Sequence, residues 1–325
     1  MHGFSRSFHI LLILLLVLPG GVATPVSAAP LRFFATGDAP YAPAELSQLQ
    51  GLFAAAVAQR RTPFLVHIGD IKSGSEPCTD ARLQDIAELF RAQPVPVVYT
   101  PGDNEWTDCH RAKAGGFDPL ERLARLRDIF FDDPGVLRLA ALDISPPARR
   151  DGVATYPELY SFLREQVLFV ALHVVGSDNG DREDDPAAMA EFERRDQANR
   201  DALRRATRLA NARGARAMVL LFHADPLFHK TRSPRGFAAT RRALVQLMAD
   251  YAGPVLLIHG DSHSFKHDRP LIDPGTGQPF ARFVRAEVPG SPVVGGIWVS
   301  VDPDAAEPFA IEEVYPMSLD GLGES

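Results

Sequence analysis

The chain has 325 residues, which is enough for one large domain or two smaller domains with a proper hydrophobic core. Its hydrophobic content of 46% and its charged content of 23% are ordinary for a globular protein. The formal net charge of −7 argues against a nucleic acid or an anionic membrane as partner, because both favour a basic face.

The first residues have the pattern of an export signal. Arg6 supplies a weak positive charge, a short apolar run follows (HILLILLLVLPGG), and TPVSAAP offers small residues for cleavage after Ala28 or Ala29. The apolar run is short for a membrane span, and no cysteine follows it that would accept a lipid. We therefore predict a signal peptide over residues 1–28 and an exported protein, periplasmic or secreted. An uncleaved membrane anchor is the alternative.

Predicted strands and helices alternate from residue 31 onward. The strand segments LRFFATGD, FLVHIGD and VPVVYTPGD end at Asp38, Asp70 and Asp103, and the helical segments PAELSQLQGLFAAAVAQR and DARLQDIAELFRAQ lie between them. Units of about 30 residues with this alternation are β-α-β crossovers with parallel strands. Ligands bind at the carboxyl ends of such strands, and all three aspartates fall there.

The rest of the chain continues the pattern. We predict helices over 118–131, 186–213 and 241–251, and strands within 166–180, 215–223 and 255–259. The runs ARFVRAEV and GGIWVSVDP are typical of a closing antiparallel meander. No segment has the composition of a linker, so residues 29–325 are predicted to form a single domain.

Two cysteines, Cys78 and Cys109, remain after the predicted cleavage. In an oxidising compartment they are expected to form one disulfide, and two free thiols are the alternative. A bridge that closes a loop of about 30 residues would stabilise the fold by roughly 3–4 kcal/mol. Each cysteine follows one of the strand ends, so the bridge would hold two neighbouring loops together.

Polar side chains follow every predicted strand of the sheet. They are Asp38, Asp70, Asp103, Asn104, Glu105, His223, His259, Asp261 and His263. Carboxylates suit hard divalent cations and imidazole suits zinc, iron and manganese, so the mixed set favours a pair of metal ions. Taken singly, each Gly-Asp pair is also ordinary loop and helix-capping chemistry, and a lone histidine at a strand end is often structural.

The segments ATGDAPY, VHIGDIKSG, YTPGDNEW, LLFHADP and IHGDSH resemble the five sequence blocks of the calcineurin-like metallophosphoesterases. Those blocks are Asp-x-His, Gly-Asp, Gly-Asn-His-Asp/Glu, a lone His and Gly-His-x-His. The resemblance extends over about residues 31–302. It implies an α/β fold, a four-layer α/β/β/α sandwich, and a dinuclear metal centre that activates water to hydrolyse a phosphoester.

The resemblance also assigns residues. Asp38, Asp70 and His263 would hold one divalent ion (Mn, Fe, Zn or Mg), and Asp70 would bridge to a second ion. Asp103, His223 and Asp261 would complete that second site. Asn104 and His223 would be the catalytic side chains, with Asn104 stabilising charge on a small phosphoester substrate.

Three histidines of the blocks are replaced. Pro40 stands for a histidine ligand, Asn104 for the usual catalytic histidine and Asp261 for the first histidine of the fifth block. Asp103 also replaces the usual asparagine ligand of the third block. The substitutions make the site more anionic and favour Mn²⁺ or Mg²⁺. Asn104 cannot donate a proton, which leaves His259 or His110 as candidate acids.

Other side chains near the blocks have simpler interpretations. Tyr41 is expected to be a packed ring in a turn, Trp106 is expected to pack, and Lys72 would either meet a phosphate or face solvent. The loops at 105–118, 146–160 and 177–190 would set the substrate.

Two rival functions remain. The segment GDSHS resembles the Gly-Asp-Ser block of certain serine esterases, but that block lies near the N-terminus and an Asp-x-x-His pair follows it, which is not the case here. The other rival is a metallophosphoesterase fold that has lost catalysis and serves as a binding protein, favoured by the three substitutions.

Overall fold

The computed structural model describes residues 30–59, 62–144, 156–230 and 233–316. The predicted signal peptide therefore lies outside the described residues. Within these ranges no helix is both long enough and apolar enough to cross a membrane.

The helices and strands follow one another largely as the sequence predicts. The α-helices are α1 (Pro43–Ala58), α2 (Asp80–Arg91), α3 (Pro119–Phe130), α4 (Pro134–Leu137), α5 (Gly176–Asn179), α6 (Pro186–Arg213) and α7 (Arg235–Asp250). The strands are β1 (Leu31–Thr36), β2 (Leu65–His67), β3 (Val97–Tyr99), β4 (Tyr160–Arg164), β5 (Val167–Ala171), β6 (Ala217–Leu221), β7 (Val255–His259), β8 (Lys266–Asp268), β9 (Phe283–Glu287), β10 (Gly296–Val301) and β11 (Phe309–Val314). Short 3₁₀ helices lie at Thr107–His110, Ala112–Ala114 and Leu139–Leu142.

The strands form two sheets. The first sheet has the order β11-β10-β1-β2-β3, with β1, β2 and β3 parallel to one another. The second sheet has the order β4-β5-β6-β7-β9-β8, with β5, β6, β7 and β9 parallel. The parallel strands of both sheets supply the residues of the candidate site.

Aromatic side chains join the two sheets face to face. Phe33 of β1 and Phe64, which directly precedes β2, pack against Phe162 of β4 and Phe169 of β5. The ring centroids are 5.1–5.2 Å apart across the interface. Side chains alternate along the strands of the second sheet because successive residues point to opposite faces. One face enters this shared core, while the other forms a separate cluster with α6 and α7. The helices α1 and α2 cover the first sheet, which completes the four-layer α/β/β/α sandwich.

Two expectations from the sequence need correction. The predicted closing meander does not form, because β9 joins the second sheet parallel to β7 while β10 joins the first sheet antiparallel to β1. Three strands, β4, β8 and β11, were not predicted. β4 and β11 lie at sheet edges with several exposed side chains, and β8 has only three residues, so none carries a long apolar run.

Candidate metal centre

Loops from both sheets bring carboxylates and imidazoles together at one end of the sandwich. Asp38, Asp70 and Asp103 follow β1, β2 and β3, while His223 and Asp261 follow β6 and β7. Two groups of side chains are placed so that each could hold a cation: Asp38, Asp70 and His223 form one, and Asp103, His223 and Asp261 form the other.

His223 lies at the centre of the cluster. Its Nε2 atom is 3.1 Å from Asp103 Oδ1, 3.4 Å from Asp70 Oδ1 and 3.9 Å from Asp261 Oδ1. The other ring nitrogen, Nδ1, is 2.8 Å from the carbonyl oxygen of Ile68. Since that nitrogen donates to the carbonyl, Nε2 is left as the atom that can bind a metal. The resemblance gave the bridging position to Asp70, whereas here His223 is the residue common to both groups.

The aspartates are held by unusual backbone conformations. Asp38 has φ 50°, Asp70 has φ 52° and Asp261 has φ 81°, all in the left-handed region that few residues other than glycine adopt. The turn at Asp261 directs its backbone N–H toward Asp38, at 3.0 and 3.2 Å from the two carboxylate oxygens. Strained backbone of this kind persists where the surrounding structure fixes it and is common at functional sites.

His263 lies beside the centre, outside both groups. Its Nδ1 atom is 2.7 Å from the carbonyl oxygen of Ser291, and its Nε2 atom is 3.7 Å from Asp38 Oδ1. The imidazole is partly exposed and therefore lies on the open side of the site. It is positioned to complete the group that contains Asp38.

Asn104 hydrogen-bonds directly to a candidate ligand. Its side-chain amide donates to Asp70 Oδ2, and its backbone N–H donates to Asp70 Oδ1 at 3.1 Å. Both carboxylate oxygens of Asp70 are thus oriented by Asn104. The asparagine also donates to the hydroxyl of Tyr41 at 3.0 Å.

Tyr41 belongs to the site, so its description as a packed ring in a turn is wrong. Its hydroxyl donates to Asp70 Oδ2 at 2.9 Å and lies 3.3 Å from His263 Nε2. The sequence signal for this role is the position of Tyr41 three residues after Asp38, directly after the proline that replaces the usual histidine. The hydroxyl thereby links the first, second and fifth blocks.

Lys72 neither meets a phosphate nor faces solvent, contrary to both expectations. Its side chain is fully buried, and its ammonium group donates to the carbonyl oxygens of Ser73 and Asn104 at 2.8 and 2.7 Å. Glu105 has a similar structural role, because Oε1 accepts from the backbone N–H groups of Asp70 and Gly102 at 3.1 and 2.7 Å. Both residues tie the second block to the third.

The two histidines considered as acids lie outside the cluster. His259 is fully buried, with Nδ1 2.8 Å from the carbonyl oxygen of Gly260 and Nε2 3.9 Å from Glu287 Oε2. Burial lowers the pKa of His259 to about 3, so the ring is neutral. His110 bonds the carbonyl oxygen of Thr107. Trp106 packs against His173, as expected of a structural ring.

A disulfide joins Cys78 to Cys109, with the two Cα atoms 5.8 Å apart. The bridge connects the loop after β2 to the 3₁₀ helix after β3. It is fully buried and packs against Ala114 and Phe117. The loops that bear Asp70 and Asp103 are therefore linked covalently close to the site.

The buried carboxylates carry a strong electrostatic penalty. Burial raises the pKa of Asp38 to about 7 and that of Asp261 to about 6, and it raises the pKa of Asp70 well above its usual value. Burial also opposes ionisation of Asp103, but interaction with His223 outweighs it and lowers the pKa of that carboxyl. The same acidic surroundings outweigh burial at His223 and raise its pKa.

The donor set fits divalent cations. Asp103 Oδ1 and His223 Nε2 are buried and, among the described residues, have no hydrogen-bond partner. Both atoms belong to the group of Asp103, His223 and Asp261, and a cation bound by that group would interact with both of them. Four carboxylates around one central imidazole also leave an excess of negative charge that bound cations would neutralise.

Among known proteins, the solved structure of PhoD agrees with this architecture. No protein-family model and no curated protein matches the chain. The solved structure of PhoD superposes with a TM-score of 0.51 at 12% identity and covers 85% of this chain and 65% of PhoD. GAP50, the anchor in the inner membrane complex of Plasmodium, gives a TM-score of 0.47 at 12% identity and 90% coverage of both chains. The calcineurin-like phosphoesterase YfkN from Bacillus subtilis gives 0.45 at 14% identity and covers 88% of this chain and 91% of YfkN.

The likeness to PhoD, together with the two stacked sheets and their flanking helices, identifies the fold. The chain has the four-layer fold of the calcineurin-like metallophosphoesterases. It spans 65% of the length of PhoD.

Proposed function

We propose that the protein is a metal-dependent phosphoester hydrolase that acts on a small phosphoester. The observation that carries the proposal is the pair of ligand groups around His223, at the carboxyl ends of parallel strands from two stacked sheets. In sheets of this kind ligands bind at those strand ends. The fold adds support, because it is the fold that the sequence blocks imply.

Six side chains would hold two divalent ions. They are Asp38, Asp70, Asp103, His223, Asp261 and His263. When bound, such ions act as Lewis acids and make water a nucleophile near neutral pH. Carboxylates outnumber imidazoles in the set, which favours Mn²⁺ or Mg²⁺ over softer ions.

Hydrogen bonds within the protein orient the candidate metal ligands. His223 keeps Nε2 available because its Nδ1 donates to the carbonyl oxygen of Ile68. Asn104 orients Asp70 with one amide N–H, and by redirecting the other, which donates to Tyr41, it could stabilise developing negative charge on a phosphoryl oxygen. Its amide is no acid, so the proton for the leaving group must come from water or from the substrate.

Metal content and activity test the proposal. We expect close to two Mn, Fe, Zn or Mg ions per chain by mass spectrometry, and turnover of simple phosphomonoesters or phosphodiesters. The Asp261→Asn variant should lose metal, and its kcat/KM should fall by more than about a hundred-fold. This loss exceeds the one caused by removing a side chain that only hydrogen-bonds to a metal ligand. Asp304→Asn is the matched control, because that carboxylate forms an exposed ion pair with Arg216.

A second function is favoured by Asn104 and Pro40, which replace histidines of the family blocks. In that case the chain is a non-catalytic binding protein with this fold. Protein that binds metal fully but turns over no phosphoester would support this alternative. Protein that takes up no metal from any of the four ions would rule out the hydrolase.

A further inference from the structure

Arg111 lies two hydrogen bonds from a candidate metal ligand. Its Nη2 atom donates to Ser177 Oγ at 3.0 Å, and Ser177 Oγ lies 2.8 Å from Asp103 Oδ2. Its Nη1 atom is 2.5 Å from Asp108 Oδ2. Asp108 is itself tied to the third block, because its backbone N–H donates to the carbonyl oxygen of Asp103 at 3.0 Å. Ser177 and Asp108 therefore both hold the guanidinium beside the cluster.

The segment that carries Ser177 has buried hydrogen bonds on its C-terminal side. Ser177, Asp178 and Asn179 all have left-handed backbone conformations, with φ of 50°, 52° and 58°. Asn179 is fully buried, and its Oδ1 accepts from Arg195 Nη1 at 2.6 Å and from the backbone N–H of Val175 at 3.2 Å. The position of the Ser177 hydroxyl is thus determined by buried contacts of its neighbours.

Arg111 also has donors to spare. A guanidinium has five N–H donors, of which Asp108 and Ser177 each engage one. The side chain is 49% exposed, whereas that of Asp108 is 3% exposed. A buried carboxylate thus anchors one edge of the arginine, and its remaining N–H groups donate to none of the described residues, so they could meet a ligand from solvent.

Other basic side chains near the blocks are engaged elsewhere. The ammonium group of Lys72 is directed at the carbonyl oxygens of Ser73 and Asn104. Lys266 is paired with Glu287 and with Asp225. Arg111, in contrast, keeps an exposed edge, and its charge would add to that of the bound cations in holding an anionic substrate.

The geometry points to Arg111 as the side chain that binds the non-bridging oxygens of the substrate's phosphoryl group, with Ser177 and Asp108 as the residues that position it. This inference rests on the proposed phosphoesterase function. Arginine suits the role because its planar fork matches two phosphoryl oxygens at once. In this chain it would supply the positive charge that Asn104 does not.

Binding of inorganic phosphate to metal-loaded protein tests the inference without relying on turnover. Wild-type protein and Arg111→Gln are loaded with Mn²⁺, their metal content is measured, and phosphate is titrated by calorimetry. We expect equal metal content and a phosphate dissociation constant about ten- to a hundred-fold higher for Arg111→Gln, the effect of losing a charge-assisted hydrogen bond. Arg111→Lys, which keeps the charge but not the fork, should lie in between.

Arg216→Gln is the matched control. Arg216 is 43% exposed, forms an ion pair with Asp304, and lies before β6 at the end of the sheet opposite the site. It should bind phosphate as the wild type does. Equal phosphate affinity in metal-loaded wild type and Arg111→Gln, or no phosphate binding by the metal-loaded wild type, overturns the role of Arg111 and leaves metal binding intact. Wild-type protein that takes up no metal contradicts the proposed function itself and removes this inference with it.

Discussion

Asp261 stands between two histidines in the sequence, yet the three side chains have different surroundings. Asp261 faces the cluster, where its Oδ1 lies 3.9 Å from His223 Nε2 and its Oδ2 accepts from the backbone N–H of Asp225 at 3.0 Å. His259 is the last residue of β7 and is buried. His263 follows the turn and approaches Asp38 from the open side. The carboxylate at position 261 therefore belongs to a group that could hold a cation, and of the two flanking imidazoles only that of His263 lies beside the cluster.

Tyr41→Phe tests the role of the tyrosine hydroxyl at the residue scale. The change removes a hydrogen bond to Asp70 and the contact with His263 while keeping the ring. We expect metal affinity, measured by competition with a chelating dye, to fall about ten-fold or more, as for other outer-shell partners of metal ligands.

Tyr251→Phe is the corresponding control. It also removes one phenolic hydrogen bond, to the carbonyl oxygen of Ala215 at 2.8 Å, in a region without candidate ligands. Metal affinity should stay at the wild-type value in this variant. If Tyr41→Phe also binds metal like the wild type, the hydrogen bond from Tyr41 to Asp70 does not contribute to metal binding.

Loops, together with the short turn α5, assemble the site. The segment Gly176–Asn179 passes so close to the cluster that a Cβ atom at Gly176 would lie 2.5 Å from Asp103 Oδ1 and 2.6 Å from Asp261 Oδ1. No real Cβ atom approaches other atoms so closely. The absence of a side chain at this position therefore brings the loop after β5 onto ligands that follow β3 and β7.

Gly176→Ala should displace both carboxylates. We expect loss of bound metal and of any phosphoesterase activity, together with a destabilisation of about 1–3 kcal/mol, the usual effect of overpacking. Metal content by mass spectrometry and denaturant unfolding would measure the two effects.

The same substitution at Gly51 provides the comparison. Gly51 lies within α1, and a Cβ atom there would have nothing within 4 Å. Gly51→Ala should leave metal content unchanged and raise the free energy of unfolding by up to about 1 kcal/mol, because alanine favours the helix. Full metal content in Gly176→Ala would show that the loop can move away from the ligands.

For the whole molecule, the main consequence of the site is its charge. Asp38 has an ordinary pKa of 3.8, and burial raises that value to about 7 in the folded chain. Between these values the folded form keeps a proton that the unfolded form has released. The stabilisation that Asp38 contributes to folding is therefore greatest below pH 3.8, and it decreases as the pH rises from 3.8 to about 7. The raised pKa of His223 acts in the same direction at higher pH.

Thermal unfolding of the metal-free protein should reveal this dependence. We expect Tm to fall as the pH is raised from about 4 to 7, and Mn²⁺ at pH 7 to restore it, because a ligand that binds only the folded form stabilises it. Asp38→Asn should flatten the pH dependence, whereas Asp304→Asn should not. A pH dependence of Tm in Asp38→Asn equal to that of the wild type would contradict the contribution of the buried Asp38 carboxyl.

Local patterns in the sequence were sufficient to predict most elements and the candidate residues. Continuous apolar runs predicted strands such as β6, and the helix α6 was predicted with its observed bounds. The aspartates after β1, β2 and β3 were recognised by their positions at the strand ends. These features depend on neighbours within a few residues, so a single chain shows them. The resemblance of the five blocks added the fold class.

The tertiary structure alone decided which strands are neighbours and what the loops touch. The parallel pairing of β9 with β7 connects segments that are more than twenty residues apart, and no local pattern encodes it. The same holds for Tyr41 near Asp70, for the burial of Lys72, and for Arg111 beside Ser177. Each of these contacts joins distant parts of the chain. The contacts of Tyr41 and Lys72 depend on which strands are neighbours within the first sheet, and that of Arg111 depends on how the two sheets stack.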